Sequence, residues 1–181
     1  SFDYQIISHV ISPLLGMGGT YQSNGKTLTI PNHYYAALAR WNQLALMKWS
    51  RDMRDLRELR EQAEDREALD RFVELLDNDY SYALFRAVSA AKETLSSHDS
   101  TNLTFRAGSI EIDRRITRRD FERWIAAELK EIRRTVDETL RRADMRDSDI
   151  DKIYLTGGSS FVPAVRAIFT ERFGPQKVHR G

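Results

Sequence analysis

The chain has 181 residues, enough for one domain or two small ones. Its 28 basic and 27 acidic residues give a net charge of +1, which argues against a dedicated nucleic-acid-binding protein, since such proteins usually carry a clear basic excess. Cysteine is absent, which excludes disulfides, thiolate metal sites and thiol redox chemistry. No apolar run approaches the ~20 residues of a membrane span and no signal peptide is evident, so we expect a cytoplasmic protein with no membrane partner. Because the chain begins at Ser1 and not at Met, we also expect an excerpt of a longer protein.

The first thirty residues predict a helix followed by a turn-rich segment. Apolar residues recur at helical spacing at Ile6, Ile7, Val10, Ile11 and Leu14. Residues 16–30 are rich in glycine and serine, and Asn24–Gly25 is a strong turn signal. A β-hairpin and a flexible surface loop are both compatible with this segment.

Residues 31–71 predict further helices. One begins after Asn32, a favourable N-cap residue, and has an apolar face formed by Tyr34, Leu38, Trp41 and Ala45. Residues 50–71 are dense in Arg, Asp and Glu, which is typical of a solvated helix stabilised by i,i+4 ion pairs. The alternative is a helix that binds a partner.

A core helix is predicted in the next segment. Its apolar face is formed by Leu84, Val88, Ala91 and Leu95. Ser89, Lys92 and Ser96 share the neighbouring face. From this spacing alone, Lys92 is a surface lysine whose stem lies along the edge of the apolar stripe.

Residues 101–140 predict a hairpin and then a long helix. Apolar residues alternate on both sides of Gly108, at Leu103, Phe105, Ile110 and Ile112. The stretch from Thr117 to Asp120 resembles a capping box. The apolar positions of the helix that follows are Phe121, Ile125, Leu129, Ile132, Val136 and Leu140.

The most informative stretch is K-I-Y-L-T-G-G-S-S-F-V-P at 152–163. It predicts a buried strand at 153–155, a turn at Gly157–Gly158 and a helix that opens at Pro163. Glycine lets a backbone approach a ligand closely, and a helix N-terminus offers unpaired N–H groups, so this corner is a candidate phosphate- or nucleotide-facing site. The alternative is an ordinary βα turn, since no Lys follows the glycines as in a P-loop. After Gly174 the chain is expected to be unstructured.

The sequence contains no recognisable arrangement of the residue types that form known catalytic sites. The four histidines lack metal-ligand spacing, and no nucleophile elbow or triad signature is present. We therefore predict no catalytic residue and no metal ligand in this chain. The order of the elements favours an α+β or α/β fold in which helices cover a small sheet.

Four stretches, in this order, resemble the second lobe of the actin-like ATPase domain of the heat shock protein 70 family. The opening F-D-Y-Q-I is similar to the segment after that family's phosphate-binding glycine pair. A-K-E-T-L-S-S at 91–97 resembles its adenosine-contacting helix, and I-T-R-R-D-F-E at 116–122 matches its I-T-R-x-x-F-E. T-G-G-S-S with Pro163 resembles its G-G-S-x-x-x-P adenosine loop.

The resemblance implies an actin-like ATPase fold of the ribonuclease H-like type, of which this chain would be a lobe II fragment. Residues 1–15 and 117–181 would belong to the lobe core, similar to subdomain IIA. Residues 16–116 would form a helical insertion with a hairpin, similar to subdomain IIB. The resemblance does not extend over 16–71, which indicates a divergent member of the family.

The resemblance also implies a site for the adenosine of ATP or ADP. Lys92 and Ser96 would reach the ribose and the adenine. Gly157, Gly158 and Ser159 would bring backbone and hydroxyl groups to the nucleoside.

Three further positions of this implied site depart from the family pattern. Glu93 and Phe161 stand where the family commonly has the two arginines that flank the base, and Ser89 stands where it has Glu. Phe161 offers an aromatic surface on which adenine can stack. Glu93 cannot replace a cation.

By the same resemblance, the magnesium-linked carboxylates, the catalytic lysine and the first phosphate loop would lie in a first lobe, so the isolated chain is expected not to hydrolyse ATP. The implied partners are the nucleotide and a nucleotide-exchange or co-chaperone protein, with no nucleic acid. The leading hypothesis is the adenosine-binding half of a chaperone-type ATP-binding domain. The alternative is a protein-interaction module on an ATPase-derived scaffold, indicated by the charged residues 50–71 and by the absent arginines at positions 93 and 161.

Overall fold

The computed structural model of the chain describes residues 1–40, 42–44 and 46–181. Its α-helices are α1 (Phe2–Ile6), α2 (His33–Ala36), α3 (Trp41–Met47), α4 (Arg51–Arg60), α5 (Arg66–Asp77), α6 (Ser81–Ser97), α7 (Arg118–Trp124), α8 (Ala126–Arg142) and α9 (Pro163–Phe173). Its strands are β1 (Thr20–Ser23), β2 (Lys26–Thr29), β3 (Ser100–Ala107), β4 (Ile110–Thr117), β5 (Ile153–Leu155) and β6 (Val178–Arg180). The strands pair as three two-stranded sheets, β1–β2, β3–β4 and β5–β6. The predicted fold class, helices over small sheets, is confirmed.

The chain divides into two compact units. The first unit contains residues 1, 3–91 and 102–115, and the second contains residues 2, 92–101 and 116–181. The subdomain boundaries predicted from the family resemblance stay a prediction. Among the described residues, no helix combines the length and apolar character that crossing a bilayer requires.

The core of the first unit lies around two aromatic rings. Tyr35 stacks on Phe72 with the ring centroids 5.1 Å apart. The Tyr35 hydroxyl donates to the carbonyl of Leu15 at 3.0 Å, so the polar tip of this buried ring is satisfied. The apolar faces predicted for the first two helices supply the buried residues Ile6, Ile7, Ile11, Tyr34 and Leu38. The side chains of Trp41 and Ala45, predicted for the same face, lie outside the described residues.

The turn-rich segment in the first unit is a hairpin, one of the two structures compatible with its sequence. β1 and β2 pair antiparallel, with Thr20 opposite Thr29. Asn24 and Gly25 have φ of 49° and 75°. Positive φ at both central residues is what a type I′ turn requires, and Asn-Gly is the pair best suited to it.

The charged segment at residues 50–71 does not form a single solvated helix. Residues 61–65 separate α4 from α5 and lie along β1 instead: the Gln22 N–H donates to the carbonyl of Gln62, and the Glu64 N–H donates to the carbonyl of Thr20, both at 2.9 Å. α4 also has a buried face, formed by Met53, Leu56 and Leu59. Pairing with β1 and burial of this face therefore override the solvated-helix pattern.

The second unit contains the only parallel strand pair in the described part of the chain. β5 and β6 are aligned with Ile153 opposite Val178 and Leu155 opposite Arg180. The expectation of an unstructured stretch after Gly174 is therefore wrong. Val178 is only 4% exposed, and its burial fixes the strand against β5.

The long helix predicted from Phe121 to Leu140 is interrupted once. Ile125 separates α7 from α8 with φ −89° and ψ 7°, outside the helical range, and is fully buried. The predicted cap at the start of α7 is present, since the Thr117 hydroxyl accepts from the Asp120 N–H at 3.1 Å. Phe2 packs edge-to-face on Phe121, with the ring centroids 6.3 Å apart.

Candidate functional site

The predicted strand, turn and helix of the glycine corner are all present, but the prediction that the whole strand is buried is wrong, because Tyr154 is 62% exposed. Gly157 follows β5 with φ 81° and ψ 162°, a conformation essentially restricted to glycine. The Ser160 hydroxyl donates to the Gly157 carbonyl at 2.6 Å and closes the turn. A short 3-10 turn covers Gly158–Phe161, and α9 then begins at Pro163, which needs no N–H partner there.

The structure brings Lys92 of α6 to this corner. Lys92 is 9% exposed, so its interpretation as a surface lysine is wrong. A Cβ atom added to Gly158 would lie 3.9 Å from the Lys92 ammonium nitrogen. The space beside Gly158 is therefore bordered by a buried cation. Both residues belong to the second unit.

The end of α6 is held by neighbouring groups of the second unit. The Ser96 hydroxyl donates to the Lys92 carbonyl at 3.2 Å, and Ser96 is half-buried. The Arg118 guanidinium donates to the carbonyl of Leu95 at 2.9 Å and pairs with Asp99 at 3.1 Å. A cation at a helix C-terminus interacts favourably with the last carbonyl groups, so α6 ends in a defined position.

The other predicted site residues differ in exposure. Gly157, Gly158, Ser159 and Glu93 are exposed. Ser89 is half-buried and belongs to the part of α6 that lies in the first unit. A ligand at the corner would thus meet an accessible turn next to a buried cation.

Phe161 is paired with a residue that sequence reasoning missed. The Arg180 guanidinium lies 5.3 Å from the centroid of the Phe161 ring, a cation–π distance. Phe161 is 45% exposed, so part of the ring stays accessible. Arg180 is held opposite Leu155 by the β5–β6 pairing, and the Gly181 N–H donates to the Leu155 carbonyl at 3.1 Å. The sequence signal that could have placed Arg180 was a strand beginning at the apolar Val178, after the helix ends. A single apolar residue is too short a pattern to predict that strand.

An ion-pair cluster fixes the helices behind the corner. Arg172 of α9 donates to both oxygens of Asp147 at 2.9 Å, and to Asp137 of α8 at 2.5 Å. These hydrogen bonds from Arg172 lower the pKa of the Asp147 carboxyl. The charges link α8, the turn at 147–149 and α9.

A separate cavity of about 200 Å³ in the second unit is not this site. It is bounded mainly by apolar side chains of α8, α9 and β5, such as Val136, Ile153 and Phe169, and by none of the predicted site residues. Within the described residues, no group of three or more His, Asp or Glu side chains is placed to hold a metal ion.

The corner offers chemistry for a flat, polar ligand. Lys92 supplies a cation, Ser96 and Ser159 supply hydroxyl groups, and the glycine turn supplies accessible backbone. Phe161 with Arg180 supplies an aromatic surface carrying a cation. Such a mixture of stacking surface and convergent polar groups is typical of sites for small heteroaromatic ligands.

The chain matches a known family model and several curated chaperones. The family model described as "Hsp70 protein" matches residues 52–181. The chain is 30% identical over 135 residues to the chaperone protein DnaK of Thermus thermophilus, a match that covers 73% of this chain and 21% of the relative. It is 30% identical over 113 residues to DnaK of Deinococcus deserti, covering 61% of this chain and 17% of the relative.

The chain thus spans about a fifth of the length of the curated relatives it matches. The family match includes the whole of α6, the glycine corner and β6, so every residue of the candidate site lies within it. On the extent of that match, this chain belongs to the Hsp70 family.

Proposed function

We propose that this chain is the adenosine-binding half, lobe II, of a chaperone-type ATP-binding domain in a divergent member of the Hsp70 family. The observation that carries the proposal is the approach of Gly158 to Lys92, with 3.9 Å between a Cβ on the glycine and the lysine nitrogen. Two segments far apart in sequence meet there, and both resemble motifs of the family's adenosine site. An ordinary βα turn has no need of a buried lysine beside its second glycine.

Each residue has a role in this proposal. Lys92 donates hydrogen bonds to the ribose and the adenine. The Ser96 hydroxyl, whose hydrogen is donated to the Lys92 carbonyl, accepts a hydrogen bond from the nucleoside. Gly157 and Gly158 let the backbone approach the nucleoside, and Ser159 adds a hydroxyl. Because Lys92 is nearly buried, its hydrogen bonds to a ligand would be little weakened by competing water.

Phe161 and Arg180 together would form the platform for the base. Phe161 stands where the family commonly has Arg. In this proposal Arg180 of β6 supplies a guanidinium instead, 5.3 Å from the centroid of the Phe161 ring. Adenine would stack on the accessible part of Phe161, with the ring polarised by Arg180. Glu93 follows Lys92 on α6 and would border the pocket without contributing a cation. Ser89, the remaining position of the implied site, lies on the part of α6 that belongs to the first unit.

The proposal extends to the nucleotide and its surroundings. The ligand is ATP or ADP, and its Mg²⁺ would neutralise charge at the phosphates and would be held mainly by residues outside this chain. The protein acts in the cytoplasm, with a nucleotide-exchange or co-chaperone protein as partner. Residues 1–15 with 117–181 form the IIA-like core, and residues 16–116 form the IIB-like part. The segment 16–71, expected to be divergent, overlaps the family match from residue 52, so the divergence is proposed for 16–51.

The test is a titration of the chain with adenosine and with ADP, in which binding is monitored by changes in NMR amide chemical shifts. We expect both ligands to bind and to shift resonances of the glycine corner. Lys92→Ala removes a charged hydrogen-bond donor, which is worth about 1.5–3 kcal/mol, and should weaken binding about tenfold or more. Gly158→Val fills the space beside Lys92 and should weaken binding of both ligands to a similar degree.

Three variants serve as comparisons in this titration. Lys130→Ala removes an exposed lysine of α8 and should leave binding unchanged. Phe161→Leu and Arg180→Ala should weaken adenosine binding and reduce the preference for adenosine over cytidine, whose smaller base offers less stacking area. Equal affinity in wild type, Lys92→Ala and Gly158→Val would refute the proposed site.

A second candidate function, a protein-interaction module, is favoured by a separate observation. Leu46 and Trp49 of the first unit are 72% and 84% exposed. Large apolar side chains at such exposure are typical of surfaces that bind another protein. This surface and the glycine corner lie in different units, so the two functions do not exclude each other.

A further inference from the structure

Trp49 and Leu46 are the two most exposed large apolar side chains in the described part of the chain. Leu46 lies in the last turn of α3 and Trp49 lies two residues after its end, where the Trp49 N–H donates to the Leu46 carbonyl at 3.2 Å. This hydrogen bond closes a turn that fixes the spacing of the two residues. Neither residue belongs to the candidate adenosine site.

The turn that carries Trp49 is held rigidly on the first unit. The Ser50 hydroxyl donates to the Met47 carbonyl at 2.7 Å and accepts from the Met53 N–H at 3.3 Å, so Ser50 joins the turn to α4. The Lys48 ammonium donates to the Asp77 carbonyl at 2.7 Å and to Asp79 at 3.1 Å. Because this backbone is already ordered, binding costs mainly the rotamer entropy of the exposed side chains.

Two cavities flank this turn. The larger, about 520 Å³, is lined by Lys48, Trp49, Ser50, Arg54, Arg57 and Asp77. The smaller, about 270 Å³, is lined by Ala37, Gln43, Leu46, Met47, Ser50 and Asp52. Their volumes suit side chains of a docked segment, and Ser50 borders both.

The larger cavity has an excess of cationic groups over free carboxylates. Asp77 is bound to Arg57 at 2.6 Å, and Asp79 is bound to Lys48 at 3.1 Å. Arg54 is exposed and has no carboxylate partner among the described residues. The Lys48 ammonium also lies 5.7 Å from the Trp49 ring centroid, within cation–π range. An incoming carboxylate would therefore meet an uncompensated guanidinium beside an exposed indole.

We propose that Leu46, Lys48, Trp49, Arg54 and Arg57, here called the Trp49 surface, bind an acidic segment of a partner protein that carries large apolar side chains. The apolar side chains of the segment pack on Trp49 and Leu46, and its carboxylates pair with Arg54 and the neighbouring cations. Tryptophan and arginine are the residues most enriched at binding hot spots, and charge complementarity sets the partner class. A nucleic acid fits less well, because it has no aliphatic side chains to pack on the exposed Leu46.

The experiment is a fluorescence-anisotropy titration of the whole chain with a labelled synthetic peptide. The probe has about ten residues, Asp and Glu around a central Leu–Phe pair. Two control peptides replace the acids with Lys or the Leu–Phe pair with Ala–Ala. We expect saturable binding of the acidic apolar peptide alone, weakened at least tenfold by Trp49→Ala and by Arg54→Glu.

Matched variants separate this surface from general effects. Tyr154→Ala removes another exposed aromatic residue, and Arg141→Glu reverses another exposed arginine; both should leave peptide affinity within about twofold of wild type. Circular dichroism should show the same unfolding midpoint for Trp49→Ala and wild type, because the indole is 84% exposed. Rising salt should weaken binding, because the pairs with Arg54 are at the surface.

Three results would overturn the proposal. One is the lack of saturable binding up to about 1 mM peptide. Another is equal affinity for wild type and Trp49→Ala, or for the acidic and the lysine peptides. The third is tighter, Trp49-dependent binding of a labelled single-stranded oligonucleotide, which would assign the surface to nucleic acid. Each of these leaves the adenosine proposal untouched, because that proposal rests on residues of the other unit.

Discussion

The two adjacent glycines of the corner meet different physical requirements. Gly157 has φ 81° and ψ 162°, a backbone conformation that residues other than glycine rarely adopt. Gly158 is not in the positive-φ region, and the nearest atom to a Cβ placed on it is the Lys92 nitrogen at an ordinary contact distance of 3.9 Å. Glycine is therefore required at position 157 by the backbone conformation, whereas at position 158 it leaves open space beside Lys92.

This difference predicts that two alanine substitutions change the free energy of unfolding by different amounts. Gly157→Ala forces alanine into a strained conformation and should lower the free energy of unfolding by about 1–3 kcal/mol. Gly158→Ala should change it by less than about 0.5 kcal/mol, because the added methyl group meets no clash. Urea unfolding of both variants beside wild type measures these changes. Equal destabilisation by the two substitutions would contradict the separate roles.

At the scale of single residues, the sequence predicted the backbone structure of the corner better than its surroundings. Gly157 and Pro163 have strong local preferences, so their places in the turn and the helix could be predicted. The burial of Lys92 could not, because helical spacing placed it only at the edge of an apolar stripe. Arg180 was missed because a three-residue strand shows too little alternation to be distinguished from an irregular terminus.

At the scale of elements, Arg172 joins three of them by charge. Its hydrogen bonds to Asp147 hold the turn at 147–149 to α9, and its contact with Asp137 reaches α8. The resulting pKa of Asp147 lies below its ordinary value of 3.8. Since the folded-state pKa is depressed, the pair stabilises the fold above the ordinary value, and this contribution is lost as pH falls through the folded-state pKa.

This linkage predicts how a double-mutant cycle changes with pH. The coupling between Asp147→Asn and Arg172→Gln, measured by urea unfolding, should be favourable at pH 7 and should decrease steadily as the pH is lowered below about 4. The double variant supplies the control, since it lacks both charges and the interaction between them. A coupling that is the same at pH 7 and at about pH 2.5 would show that the ion pair does not stabilise this unit.

The boundaries of two helices could not be predicted from the periodicity of their apolar residues. The helix predicted from Phe121 to Leu140 keeps its apolar spacing through Ile125, yet the chain breaks there to bury that side chain completely. The charged helix predicted at 50–71 breaks where residues 62 and 64 pair with β1. Both breaks are imposed by tertiary contacts, which a local pattern does not encode.

For the whole molecule, the two proposals concern separate units of one chain. The adenosine residues, apart from Ser89, belong to the second unit, and the Trp49 surface belongs to the first. α6 contributes residues to both units. Partner binding and adenosine binding can therefore be removed independently, by Trp49→Ala and Lys92→Ala, and then measured together in the double variant.

The proposed role of the chain also sets a limit on its activity. Lys92, Ser96 and the glycine corner are assigned to the base and ribose, and the family resemblance places the groups that act on the phosphates in another lobe. Binding adenosine does not by itself stabilise a transition state at the γ-phosphate, since catalysis requires interactions made in that transition state. The chain spans about a fifth of the length of its DnaK relatives.

We therefore expect the purified chain to bind adenosine and ADP but not to hydrolyse ATP. The measurement is phosphate release from ATP with Mg²⁺, beside the same assay on Lys92→Ala. Release that is equal in the two preparations comes from a contaminating enzyme, because the variant has lost the proposed nucleotide contact. Magnesium-dependent release that falls in Lys92→Ala would contradict the prediction, since the chain would then contain both the nucleotide contact and the groups that act on the phosphates.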